Sequence, residues 1–126
     1  MTDEKLDYRL ETFYKYKGKV LRVVDADTVD AELELGFGIT MTQRFRIDSF
    51  DAPETWRPRN EAEKIHGKEA TQRAIQLLAE EELIFVTSKT AGIYGRYGAQ
   101  IFLKDGRDYA EVMIQEGFEK KNEYLM

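Results

Sequence analysis

Hydrophobic and polar positions alternate with a period of two along three consecutive stretches near the start of the chain. The first, Tyr14 to Asp25, is centred on Lys19-Val20-Leu21-Arg22-Val23-Val24 and has high β-propensity. In the second, Thr28–Leu35, Val29, Ala31, Leu33 and Leu35 stand against Asp30, Glu32 and Glu34. The third, Ile39–Asp48, puts Phe45 and Ile47 on one face and Arg44, Arg46 and Asp48 on the other. Short turn signals join them. Asp25-Ala26-Asp27 carries side chains that bond their own backbone, and Gly36-Phe37-Gly38 closes a hairpin. These features predict an antiparallel meander. The third strand must stop pairing at Asp51-Ala52-Pro53, because proline has no N–H for a ladder and restricts the residue before it.

The period then changes. Glu61–Glu80 reads as one long helix, with Asn60 as N-cap, acids in its first turn, and Ala70, Ala74, Leu77 and Leu78 on one face. Gly67 interrupts that pattern and weakens the first turns. Leu83–Ser88 is a short β-like run, followed by the loop Lys89–Gly95. Arg96–Lys104 alternates again and ends in the tight turn Asp105-Gly106. Asp108 caps a short helix, Tyr109–Glu116, with Val112 and Met113 inward and Gly117 as its stop. The result is an α+β chain with a five-stranded OB-fold Greek-key barrel, a long helix between strands 3 and 4, and a short helix after strand 5. A ferredoxin-like sandwich fits less well, since no helix separates the first two strands. Residues 1–13 have no clear period and read as an N-terminal arm, leaving 14–126 as the single domain.

Composition narrows the picture without choosing a function. A chain of 126 residues, 42% hydrophobic and 34% charged, has the make-up of one soluble globular domain. No apolar run approaches the roughly 20 residues of a membrane helix. The acidic start Met1-Thr2-Asp3-Glu4-Lys5 is unlike a signal peptide, and there is no cysteine. A cytoplasmic protein is therefore expected, or a secreted one if a leader has been removed. A single histidine and no cysteine argue against zinc. The net charge of −5 argues weakly against a nucleic-acid partner, although a cation held by carboxylates would reverse the local sign.

Chemistry concentrates at two strand ends. Asp25 and Asp27 close the first strand, and Asp51 and Glu54 follow the third. In a meander these ends share one rim of the barrel. Crowded carboxylates repel unless a cation neutralises them, and oxygen-only ligands favour Ca²⁺ or Mg²⁺. The same acids are common in plain turns. Arg46, on the polar face of strand 3, and Arg96, after Tyr94-Gly95, are guanidinium forks suited to phosphate oxygens, or else to surface ion pairs. His66 is expected to be exposed or a local hydrogen-bonding group, with no catalytic role.

Val24-Asp25-Ala26-Asp27-Thr28-Val29, Phe45-Arg46-Ile47 followed by Asp51-Ala52-Pro53-Glu54-Thr55, and Tyr94-Gly95-Arg96 together resemble the staphylococcal nuclease (thermonuclease-like) family. Asp105-Gly106 and Gly117-Phe118 are weaker matches, and the set spans roughly residues 16–120 in family order. The family is an OB-fold barrel that cleaves phosphodiester bonds of DNA and RNA with Ca²⁺, leaving a 3′-phosphate. The resemblance implies that Asp27, Asp51 and the carbonyl of Ala52 ligate the ion. It also implies that Arg46 and Arg96 hold the scissile phosphate and stabilise its transition state, and that Glu54 activates water. Asp25 matches a supporting acid. Tyr94 matches a substrate-binding tyrosine at the nucleotide end, and Tyr124 is expected to do similar work.

The departures are specific. Ala26 stands where the motif has glycine, so a positive φ there would be strained. Ala52 replaces a threonine of the best-known member, and Ile93 stands where that member has a phosphate-contacting lysine. The chain ends before the third helix of larger members, which predicts a barrel face covered by a second copy or another partner. The expectation is a Ca²⁺-dependent nuclease of low sequence specificity acting on DNA or RNA. One alternative is a non-cleaving module of the same fold that binds nucleic acid or protein. Another is an acidic barrel with a structural Ca²⁺ site, which leaves Arg46 and Arg96 unexplained.

Overall fold

The long first strand β1 (Lys15–Asp25) serves two neighbours in turn. Its start pairs with β4 (Leu83–Thr87) and its remainder with β2 (Thr28–Gly36), both antiparallel, and Gly18 belongs to both ladders. A Cβ on Gly18 would sit 2.6 Å from the Glu32 carbonyl oxygen and 2.7 Å from Leu33, so only glycine allows this crossing. The computed structural model describes residues 14–88, 90–92 and 95–124. The expected arm 1–13, Ile93 and Tyr94 lie outside them.

The strand order β1-β2-β3-β5-β4 forms a closed barrel. β3 (Ile39–Ile47) pairs antiparallel with β2, and its end runs parallel to β5 (Tyr97–Phe102), Phe45 opposite Tyr97 and Ile47 opposite Ala99. β5 returns antiparallel to β4. Alternation then does what it predicts. Val29, Ala31, Phe45, Ile47, Leu83, Phe85, Ala99 and Ile101 all turn inward and are buried.

Helix α1 (Glu61–Leu77) begins at Asn60, whose side chain accepts from the Glu63 N–H at 3.0 Å, and it packs on β1 through Ala70, Ala74 and Leu77. It ends three residues before the expected Glu80. Leu78 leaves helical geometry and joins the core, and the Glu80 carboxylate accepts from the Lys104 backbone N–H at 2.7 Å. Helix α2 (Tyr109–Gln115) is capped by Asp108, buries Val112 and Met113, and stops at Gly117, where φ is +87°. At the hairpin tip between β2 and β3, Gly36, Phe37 and Gly38 all have positive φ, and Phe37 is fully exposed.

Candidate active site

Backbone hydrogen bonds stitch the rim together beneath its functional side chains. The Ile47 N–H donates to the Asp27 carbonyl at 2.8 Å, which places the β1–β2 turn beside the end of β3. Asp27 is then fixed by its own side chain. Its Oδ2 accepts from the Ala52 N–H at 2.9 Å and its Oδ1 from the Thr28 hydroxyl at 3.1 Å. The Thr55 hydroxyl donates to Asp25 Oδ1 at 2.6 Å, tying the second acidic turn to the first. Beneath them the buried Tyr109 hydroxyl donates to the Ala26 carbonyl at 2.5 Å. Burial pushes that phenol well above its ordinary pKa, and the charge of Asp27 adds to the effect, so it stays a neutral donor. Ala26 is strain-free here: among described non-glycine residues only Phe37 and Ser49 take positive φ, so the turn does not need the glycine conformation.

Arg46 occupies the centre. Its Nη1 donates to the carbonyls of Ile47 and Phe50, at 2.6 and 2.7 Å. Its Nη2 pairs with Asp51 Oδ1 and lies 3.4 Å from Asp27 Oδ2. One cationic nitrogen thus stands between the two carboxylates, which relieves their repulsion. Around this group opens a cleft of about 810 Å³. Asp25, Asp27, Arg46, Asp51, Ala52, Glu54 and Arg96 all line it, with Thr55, Trp56, Arg22 and Lys120.

The loop carrying Glu54 is held from behind by a residue that sequence reasoning treated only as a first-turn acid. The Glu63 side chain is fully buried. It accepts from the Arg59 N–H at 2.7 Å, from Arg59 Nε at 3.0 Å and from the Glu54 N–H at 3.4 Å, with Lys120 Nζ 3.7 Å away. Burial alone raises its pKa, but the Arg59 side chain, the two backbone donors and the Lys120 charge together hold it at about 2. The spacing Asn60-x-x-Glu63 is a capping-box pattern, the one sequence signal that marks Glu63. Gly67 completes the support. A Cβ there would lie 2.8 Å from the Thr55 methyl, 2.9 Å from the Pro53 carbonyl and 3.1 Å from the Glu54 carbonyl. The glycine that weakened the helix signal is where the loop lies directly on the helix.

Of the other predicted residues, Tyr94 lies outside the described residues, and Tyr124 is not brought into the cleft. Tyr124 packs under Arg59, 5.0 Å from its ring centroid, and shares a 2.7 Å hydrogen bond with His66 Nδ1. His66 is partly buried and bonds at long sequence separation. Its Nε2 lies 2.8 Å from the Gly117 carbonyl, an acceptor, so Nε2 carries the proton and donates. In neutral His66, Nδ1 then accepts from Tyr124. This contact, with Arg59 donating to the carbonyls of Lys121 and Asn122, clasps residues 117–124 onto the start of α1. The clasp reaches the site, since the Lys120 N–H donates to the Asp51 carbonyl at 2.7 Å. Lys120 carries no motif that sequence reading could have used.

Among the described residues, no three His, Cys, Asp or Glu side chains group as a ready metal cluster. Two carboxylates arranged about a single positive centre are nevertheless oxygen donors of the kind a hard cation prefers.

The fold and cleft define a nuclease-type OB barrel, with acids and arginines collected at the rim where β1, β2 and β3 meet. The staphylococcal nuclease homologue family model matches residues 44–124, and the chain belongs to that family. Among curated proteins no match is found. No helix among the described residues is long and apolar enough to cross a membrane.

Proposed function

We propose that this protein is a Ca²⁺-dependent phosphodiesterase that hydrolyses DNA or RNA with low sequence specificity. The observation that carries the reading is the shared cleft. Asp27 of the β1–β2 turn, Arg46 of β3, Asp51 and Glu54 of the loop that follows it, and Arg96 just before β5 all line one cavity. A plain turn role for the acids would not require Arg46 to be clamped between them.

Asp27, Asp51 and the Ala52 carbonyl would hold the ion, which supplies neutralisation of phosphate charge. Glu54 accepts a proton from the attacking water, with its backbone anchored to Glu63. The water oxygen bonds to phosphorus, the P–O5′ bond breaks, the leaving oxygen takes up a proton, and a 3′-phosphate remains. Arg46 and Arg96 offer fixed positive charge to the oxygens whose charge grows in that step. Asp25 acts through Thr55, keeping the Glu54 loop against the β1–β2 turn.

The test is degradation of single-stranded DNA and of RNA with Ca²⁺, with EDTA, and with Glu54→Gln. Expected is Ca²⁺-dependent cleavage that falls by about 10²- to 10⁴-fold in Glu54→Gln, the usual contribution of a general base. Full activity of that variant, or no cleavage by folded protein that binds Ca²⁺, would refute the assignment.

A further inference from the structure

The chain has a single tryptophan, and the fold leaves it out of the core: Trp56 is 82% exposed. Scattered exposed aliphatic residues are ordinary on a protein surface. A bare indole on the wall of a polar cleft is different, because it lines the same cavity as Asp27, Arg46, Glu54 and Lys120. Nor does it hang from a loose segment. Thr55, the residue before it, is bonded to Asp25 at 2.6 Å, and the Glu54 N–H is held by Glu63. Trp56 therefore keeps a fixed relation to Glu54, two residues away, a separation of at most about 7 Å along the backbone.

We propose that Trp56 is a stacking platform for an unpaired nucleobase next to the scissile phosphate. The proposal rests on the phosphodiesterase reading for the word scissile, but not for the binding itself. Every base has a π-face, so an indole holds a base without reading its identity, as low sequence specificity requires. The face of a base inside a duplex is covered by its stacked neighbours, and only an unstacked base can present it to the indole. Arg22, Arg46, Arg96 and Lys120 line the same cleft and suit the backbone phosphates on either side of such a base. Asp25, Asp27, Asp51 and Glu54 line it too, so the cleft is charged throughout, which favours a nucleotide over an apolar protein surface as the occupant.

Because Trp56 is the only tryptophan, its fluorescence reports the contact directly. The protein, in EDTA to prevent turnover, is titrated with an oligothymidylate of about eight nucleotides, covering the site size of one OB fold. Parallel arms use an abasic oligonucleotide of the same length and a blunt duplex, with binding followed independently by the anisotropy of a labelled strand. Expected are quenching by the oligothymidylate and binding without comparable quenching by the abasic strand and the duplex. Trp56→Ala should weaken oligothymidylate binding about tenfold while changing abasic binding less than twofold, and Trp56→Phe should recover part of the loss. Absence of quenching by bound oligothymidylate, or equal losses for both strands in Trp56→Ala, would overturn the proposal. Quenching by a strand that is never cleaved with Ca²⁺ would retain the stacking site and refute the nuclease; cleavage without quenching would do the reverse.

Discussion

Replacing Gly67 by alanine sets two physical effects against each other, and the structure says which wins. In a helix interior, Gly to Ala normally stabilises by about 1 kcal/mol, because glycine loses more backbone entropy on folding. Here the added Cβ would stand 2.9 Å from the Pro53 carbonyl and 2.8 Å from the Thr55 methyl. To restore ordinary contact the Pro53–Thr55 loop must retreat by about 0.5 Å. The nearest group is a side-chain methyl, but the next two are backbone carbonyls of a loop fixed by Glu63 and Asp25. Overpacking of this kind costs about 1–3 kcal/mol, so the net effect should be destabilisation by about 1 kcal/mol. The same retreat moves Glu54, and displacement on this scale should lower kcat by about tenfold. Urea unfolding followed by circular dichroism measures the first effect, and initial rates on single-stranded DNA the second. Adding Thr55→Ser removes the methyl but keeps the hydroxyl for Asp25, so the double variant should recover only part of the stability. If Gly67→Ala proves more stable than the parent by the full helix-propensity gain and keeps its kcat, the idea that this glycine seats the loop is wrong.

The remaining expectations concern charge and strain. Glu63→Gln should destabilise the protein by roughly 3 kcal/mol at neutral pH, because it leaves Arg59 and Lys120 facing a neutral buried amide. The folded-state pKa of about 2 lies below the ordinary carboxylate value, so this contribution is complete above about pH 4.5 and fades as pH falls towards 2. Denaturant midpoints of both proteins between pH 2 and 7 should converge at the acid end; a constant gap would sink the assignment. Phe37→Asn should raise stability by roughly 0.5–1 kcal/mol, since the ring buries nothing and its φ of +57° suits asparagine better. A loss above 1 kcal/mol in thermal unfolding would show that the ring makes a contact of value. If two arginines meet two phosphates, log K for a single strand should fall with log salt at a slope of about −1.4. A slope steeper than about −4, measured by anisotropy, would place binding on a wider basic surface than the cleft.

The barrel was legible because its strands alternate cleanly and its turns use residues suited to them. Val29, Ala31, Phe45 and Ile47 declare one face by their spacing, and Asn60, Asp108 and Gly117 mark helix ends by chemistry local to a few residues. Asp27, Arg46, Asp51 and Glu54 could be grouped for the same reason, since a meander brings the ends of its first and third strands to one rim. What escaped notice depends on partners distant in the sequence. Gly67 meets Pro53, and His66 meets Tyr124 and Gly117, so no short window along the chain reveals their work, and the capping-box spacing that marks Glu63 does not reveal its contact with Lys120.

Charge shows the same division between local and global information. A total of −5 weighs against a polyanionic partner when spread over the whole surface. Among the described residues, however, four carboxylates and four cations line the cleft, so the acidic excess is not concentrated there. Exposed charges more than about 8 Å apart are largely screened at physiological salt, so a strand entering the cleft responds mainly to that balanced set. Asp51, 76% exposed and paired with Arg46, is the acid whose partner can most easily be exchanged. Were Asp27 and Asp51 to hold the proposed ion, Arg46 Nη2 would be the donor set free for a phosphate, while Nη1 keeps the carbonyls of Ile47 and Phe50. On that proposal the binding of ion and of substrate would reinforce each other through one side chain.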